Sequence, residues 1–331
     1  MVPTYVVGRL DGSETGSYLT LDVGGTFLRV VFVELLGQGK FNARHKKYRI
    51  DEGLKVGEAT LLFAALINDT VGTLLAHAYQ HTDTFIGLGL GTGSNGAYLE
   101  QIDRITKWRG DRQGRTEMVI NMEFGAFDNE RTILPFTKYD RILDQASLNP
   151  GEQLFEKMIA GMYLGEIARN ILLDLKELQL LFQHDSSWAL DTMWSFDTAY
   201  MSAIEADATL ELENTGRVLE TIAQVSGSTL VDRQIVKTVV QLVGQRAARL
   251  SSMALAGILC HLGLSSTGPI KHVAIGVDGS LYQFYPGFEK DIMDGLSDIL
   301  GSKVRSQVNM GPSFDGSSVG AALAAVMAGS K

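Results

Sequence analysis

The chain has 331 residues, 45% of them hydrophobic and 20% charged, with 36 Gly and 6 Pro, which suits two ordered domains and argues against disorder. A single cysteine, Cys260, excludes an intrachain disulfide framework and a four-cysteine zinc site, and fits a reducing compartment. The net charge of −9 argues against a protein that wraps nucleic acid, but not against nucleotide binding, because glycine-rich backbone can hold phosphate whatever the overall charge.

Residues 18–35 read as two β-rich runs around Gly24-Gly25, and Leu36-Gly37-Gln38-Gly39 supplies a second turn. Lys40–Ile50 alternates well enough for a third strand, so the opening is expected to be an antiparallel three-stranded meander. Asp51–Leu62 reads as the start of a helix weakened by Gly53 and Gly57. Ala64–Ile67 is read as a strand, Val71–Tyr79 as a helix, and residues 84–100 as strand, Gly-rich turn, strand. Met118–Ile120 is a further short strand.

Helices dominate from 151. Phe155, Met158, Ile159, Met162, Ile167, Ile171 and Leu175 recur at helical spacing and are expected to be buried. A second amphipathic stretch, Ile235–Leu262, places Val239, Leu242, Val243, Leu250 and Met253 on one side. His272–Gly276 is a strand, Ser318–Ala328 a helix, and Cys260 is expected to pack as a small apolar residue. The longest apolar run, Met253–Cys260, contains Gly257 and falls well short of the ~18 residues a membrane helix needs. Met1–Tyr5 lacks the character of a signal peptide, so the expectation is a cytoplasmic protein with no membrane span.

Three places share one design: Asp22-Val23-Gly24-Gly25-Thr26, Gly91-Thr92-Gly93-Ser94-Asn95 and Asp278-Gly279-Ser280. Each follows an apolar strand and puts small residues where backbone N–H groups can meet an anion. One such turn is usually a structural hairpin. Three, two of them with a carboxylate at the strand end, suggest a nucleotide held between two sheets. Gly91–Gly96 also fits G-x-G-x-x-G, but the residues that follow read as a returning strand, not as the helix a dinucleotide fold requires.

These segments resemble hexokinases and glucokinases of the fungal type. Leu21–Thr26 resembles the family's first phosphate motif, Leu66–Thr73 its Asn-Asp-Thr segment and Gly91–Tyr98 its second phosphate turn. Asn121–Phe127 and Asn149–Lys157 resemble its hexose-binding segments, Gly276–Tyr282 its adenosine segment and Asp315–Ala322 its C-terminal glycine turn. The matches run in family order over nearly the whole chain.

The resemblance implies an α/β fold of two ribonuclease H-like lobes of the actin type around a cleft. Residues 1–72 would form a truncated small lobe, with 316–331 packing back on it, and 73–315 the large lobe. It implies transfer of the ATP γ-phosphoryl group to the 6-hydroxyl of a hexose, with glucose the expected substrate and Mg²⁺ required. Asp69 would be the base, although an isolated Asn-Asp-Thr is more often a helix cap. Asn68, Asn95, Glu123 and Glu156 would bind sugar hydroxyls; taken alone, Glu123 reads as a turn acid and Glu156 as a solvated helix position. Asp22 would orient hydrated Mg²⁺, and Gly24, Gly25, Thr26, Arg29, Thr92 and Gly93 would face phosphate. Asp278, Gly279 and Ser280 would lie near the nucleoside.

The sequence also departs from the family pattern. Only 17 residues separate Ile50 from Asn68, where relatives carry a Ser-Phe-Pro strand and a Thr-Lys-Gly loop that grip the sugar. Roughly a hundred residues, about a domain's worth, are expected to be missing near Phe63-Ala64. To close the gap, Ala64–Ile67 would have to slide by about one strand spacing (~4.8 Å) to pair with Tyr18–Val23. Phe27, Phe314 and Ser318 stand where the family more often has Asn, an acid and Gly. A catalytically inactive, regulatory sugar- or nucleotide-binding relative therefore remains the alternative to an active kinase.

Overall fold

A computed structural model describes residues 1–23, 27–49, 65–110, 114–183, 189–225, 227–264 and 272–329. Strands β2 (Thr15–Val23), β3 (Phe27–Gly37) and β4 (Lys40–Arg49) form the expected antiparallel meander, in register from Thr15↔Leu36 to Val23↔Leu28. Gln38 and Gly39, both at positive φ (53° and 68°), close the β3–β4 hairpin, as a two-residue turn between right-twisted strands requires.

The larger sheet has six strands in the order β1-β7-β6-β5-β8-β9: β1 (Val2–Val7), β5 (Thr84–Leu90), β6 (Ser94–Gln101), β7 (Glu117–Asn121), β8 (Val273–Asp278) and β9 (Val308–Pro312). β5, β8 and β9 run parallel, while β6, β7 and β1 continue antiparallel from β5.

Between the sheets lie α1 (Asp69–Gln80) and α10 (Gly316–Gly329), which pack on each other. Val31, Val33 and Leu35 of β3 meet Val71, Leu74 and Leu75 of α1 and Ala97, Leu99 and Val119 of the larger sheet in one core. The alternation in β5, Thr-Phe-Ile-Gly-Leu-Gly-Leu, explains how α1 lies so close. Ile86, Leu88 and Leu90 face the second core, and a Cβ on Gly87 would stand 2.6 Å from Thr70 O and Leu74 N.

The second core is closed by helices on the far side of the sheet. These are α2 (Lys138–Ala146), α3 (Leu154–Ile159), α4 (Gly161–Glu177), α5 (Thr198–Glu205), α6 (Glu213–Val218), α7 (Leu230–Leu262), α8 (Ser280–Phe284) and α9 (Phe288–Leu300). Among the described residues no helix is long and apolar enough to cross a membrane.

Several expectations are corrected. Residues 65–68 are not in a strand and β2 pairs only with β3 among the described residues, so the slide toward Tyr18–Val23 did not occur; Leu66 is 87% exposed. Residues 72 and 73 both lie within α1, and β1 pairs with β7 in the larger sheet; neither feature tests the lobe boundary. Met162 is exposed because Ala160 is extended and ends α3, so the 155–175 periodicity spans two helices. Leu242 is exposed because the buried stripe of α7 runs through Val236, Val239, Val243 and Ala247. Cys260 is exposed rather than packed. The expected helix over 51–62 lies outside the described residues.

Candidate active site in the cleft

Asn68 caps α1 from an extended conformation, and its Oδ1 accepts from the backbone N–H (2.9 Å) and hydroxyl (2.5 Å) of Thr70. Asp69 is the first helical residue, where a negative charge meets the helix dipole favourably. Its Oδ1 accepts from Thr70 N–H at 2.8 Å. Asp69 reaches solvent on its outer side, yet protein crowds the carboxyl on the other. That desolvation raises its pKa; the charges of Asp22 and Glu123 add to the rise, and the Thr70 N–H opposes it.

A polar cluster stands beside it. Asn95, on β6, donates from Nδ2 to Asn121 Oδ1 (2.8 Å) and Glu123 Oε1 (3.1 Å), and its Oδ1 accepts from the Glu123 N–H (3.0 Å). Asn121, at the end of β7, donates to the same Glu123 oxygen at 2.7 Å. Glu123 has φ 53°, a left-handed conformation that costs a non-glycine residue about 1–2 kcal/mol and that this amide pair holds in place. Glu156 arrives from α3, and its Oε1 accepts from Ser94 N–H at 2.9 Å. A Cβ on Gly93 would stand 2.8 Å from that oxygen, so only glycine lets the carboxylate approach the turn. Burial raises the Glu156 pKa, and the Glu123 charge adds to the rise, while Ser94 N–H and Lys157 oppose it.

The third group gathers charges from distant parts of the chain. Arg29 Nη2 donates to Asp22 Oδ2 (2.5 Å) and its Nη1 to Asp315 Oδ1 (3.3 Å), while Ser317 Oγ also donates to Asp22 Oδ2 (3.0 Å). Asp278 ends β8. Burial raises its pKa, Asp69 and Asp315 add to the rise, and Gly279 N–H and Arg29 oppose it. Gly279, at φ 123°, lies so close to the β5–β6 turn that a Cβ would stand 2.4 Å from Leu90 O.

The N-terminus of α4 closes on the same turn, with Gly161 N–H donating to Gly91 O (2.8 Å) and Met162 N–H to Thr92 O (3.1 Å). Thr92 and Ser280 open onto a cavity of about 600 Å³ walled by Trp194, Phe196, Phe284 and Tyr285. Gly24, Gly25 and Thr26 lie outside the described residues.

Comparison with known proteins decides the family. Hexokinase sequence profiles match residues 1–65 and 85–327. The chain belongs to the hexokinase family. Hexokinase-1 of Schizosaccharomyces pombe is 34% identical over 405 residues, covering 99% of this chain and 82% of that protein. Since this chain has 331 residues, at least 74 positions of that alignment have no counterpart here. A glucokinase of Aspergillus niger is 42% identical over 80% of this chain and 57% of its own length. Among solved structures, a Schistosoma mansoni hexokinase complexed with glucose matches with TM-score 0.84 and 30% identity, covering 98% of this chain and 88% of that one. The two-lobed, actin-type fold with a shortened first lobe follows from the chain's membership of the hexokinases and from this match.

Asp22 fits a hydrated Mg²⁺, which keeps several waters and binds through one or two carboxylates plus substrate phosphate. Among the described residues, the hydrogen bonds of this carboxylate fall on Oδ2. Four residues of the site were not singled out from sequence. Asn121, Asp315, Thr70 and Ser317 all lie inside the hexokinase-like segments. Only the fold brings Ser317 to Asp22.

Proposed function

We propose that this chain is an ATP-dependent hexose kinase, with glucose the expected acceptor, and that Asp69 is its base. The sugar 6-hydroxyl oxygen attacks the γ-phosphorus, the bond to the ADP oxygen breaks, and the hydroxyl proton passes to Asp69. The observation that carries this reading is the position of Asp69: it is solvent-accessible at a helix N-terminus, within the fields of both the Asp22 cluster and Glu123.

Asn95, Asn121, Glu123 and Glu156 would hold sugar hydroxyls as paired acceptors and donors. Asn68 would do so by donating from Nδ2, because its Oδ1 caps α1. Arg29, Thr92 and Gly93 would face the triphosphate, and Gly279 and Ser280 would border the nucleoside in the 600 Å³ cavity. Mg²⁺ beside Asp22 would neutralise triphosphate charge when bound. We divide the chain into a small lobe on β2–β4 with α10, and a large lobe that runs from α1, kept whole, to residue 315 and also takes β1.

A second reading, sugar or nucleotide binding without turnover, is favoured by one observation. The approach to Asp69, residues 65–68, lies outside any strand, and Leu66 is almost wholly exposed. A displacement of about 1 Å at a reacting group can cost a hundredfold in rate. A coupled ATP assay with glucose, fructose and mannose, run beside glucose calorimetry, separates the two. Turnover that falls about 10²–10⁴-fold in Asp69→Ala, with glucose binding kept, supports the kinase. Binding of glucose or ATP with no turnover supports the second reading, and absence of both removes each.

A further inference from the structure

A second cavity, of about 640 Å³, lies behind the polar cluster, between α3 and α7. Its walls include Tyr98, Phe124, Phe127, Phe155, Met253 and Ile258. Phe124 and Phe127 both meet Phe155 edge-on, with ring centroids 5.6 and 6.0 Å away, and the Met253 thioether can adjust to a guest. Among the ionisable groups that border the cavity, the side chains of Glu123, His261 and Tyr98 are all engaged, and Met1 also lines it. Glu123 accepts from Asn95 and Asn121, and His261 Nε2 pairs with Glu100, whose side chain is 4% exposed. A charged guest would find those three side chains already paired, whereas a flat apolar one would replace water on aromatic walls.

We propose that this cavity binds a neutral, flat aromatic molecule of about two rings, and that its occupancy changes hexose affinity. The coupling rests on the sugar-site reading above: Phe124 directly follows Glu123, and Phe155 directly precedes Glu156. A guest that shifts the two rings shifts both carboxylates.

The test titrates the full chain by calorimetry with 2-naphthol and with its anionic counterpart, 2-naphthoate. Saturable one-to-one binding of naphthol, at least about tenfold tighter than naphthoate, is expected. Gly257 lines the cavity and a Cβ there would meet nothing within 4 Å, so Gly257→Leu adds bulk at the cavity wall without a clash and with better helix propensity. That variant is expected to weaken naphthol about tenfold or more without lowering the unfolding temperature. Phe127→Ala, which removes a ring 43% exposed at the cavity, is expected to weaken naphthol as well.

Saturating naphthol is expected to change the glucose Kd about fivefold or more, and glucose to change the naphthol Kd by the same factor. No saturable binding, equal binding of the anion, or full affinity in both variants overturns the site. An unchanged glucose Kd overturns the coupling. If glucose itself does not bind, the kinase reading fails, while the naphthol titrations still decide the cavity.

Discussion

Asp69, Glu156 and Asp278 each have a carboxyl pKa raised by desolvation in the fold. For such a group the stabilising contribution is complete below the unfolded pKa and is lost as pH rises through the higher folded value. At neutral pH all three charges therefore work against the fold. Glu156→Gln is expected to raise the melting temperature at pH 7, with a smaller gain at pH 4, and to weaken glucose by about tenfold or more; differential scanning calorimetry and glucose titration check both. The proposed base must be ionised, so kcat should fall as pH drops toward the raised pKa of Asp69, at a higher pH than an ordinary aspartate would give.

His77 carries the opposite sign. It is buried, its Nδ1 lies 2.7 Å from Thr84 Oγ1, and desolvation, helped by His81, lowers its pKa from 6.5 to about 4. Below pH 6.5 the unfolded chain takes up a proton that the folded chain refuses, so stability falls until about pH 4 and then levels off. The loss is on the order of 3 kcal/mol at the acid end. Urea titrations of the parent and His77→Gln should show that slope between pH 6.5 and 4.5 in the parent and a flatter one in the variant.

Among the elements, α1 depends on glycine contacts on two sides. Gly72 meets α10 so closely that a Cβ on Gly320 would stand 2.2 Å from its Cα, and Gly87 gives α1 its seat on β5. Gly320→Val is expected to cost about 3 kcal/mol or more in urea unfolding, by forcing α10 off α1. The loop leading to α3 is held by Asp144, which is 2% exposed and accepts from Lys157 Nζ, Arg131 Nη2 (both 2.7 Å) and Gly151 N–H (2.9 Å). Lys157→Met leaves that buried carboxylate with Arg131 as its remaining cation, for a loss of about 1–3 kcal/mol. It also removes a charge that lowers the Glu156 pKa. Glucose affinity should fall, and fall further at low pH, in the variant.

Element identity was legible where short-range chemistry decides it, and burial was not. The meander could be read because glycine turns and β-rich runs alternate, and β6 because Ala97–Glu100 reads as a returning strand after the Gly-rich turn. Met162 and Leu242 misled because a 3.6-residue period survives a break at Ala160 and cannot say how wide a buried stripe is.

At the scale of the whole molecule, the order of layers is sheet, two helices, larger sheet, outer helices. None of it follows from periodicity alone, because it depends on Ser317 of the last helix returning to Asp22 and on β1 crossing to β7. The shortened first lobe was legible as the 17-residue spacing before Asn68, and alignments with several relatives that are longer than the chain agree with it. How the chain accommodates that loss was not legible: an inward-sliding strand satisfies backbone pairing on paper, yet residues 65–68 remain outside the sheet.

Residues 91–93 touch both halves of the proposed reaction. Glu156 presses on Gly93 from one side, Gly279 presses on Leu90 from the other, and the first N–H groups of α4 hold the carbonyls of Gly91 and Thr92. If Glu156 holds the sugar as proposed, selectivity for one sugar over another is not expected to be redesigned there in isolation. Bulk added beneath that carboxylate would travel through four residues of backbone, Leu90–Gly93, so on the proposed reading a change in hexose preference is expected to come with a change in affinity for the phosphate donor.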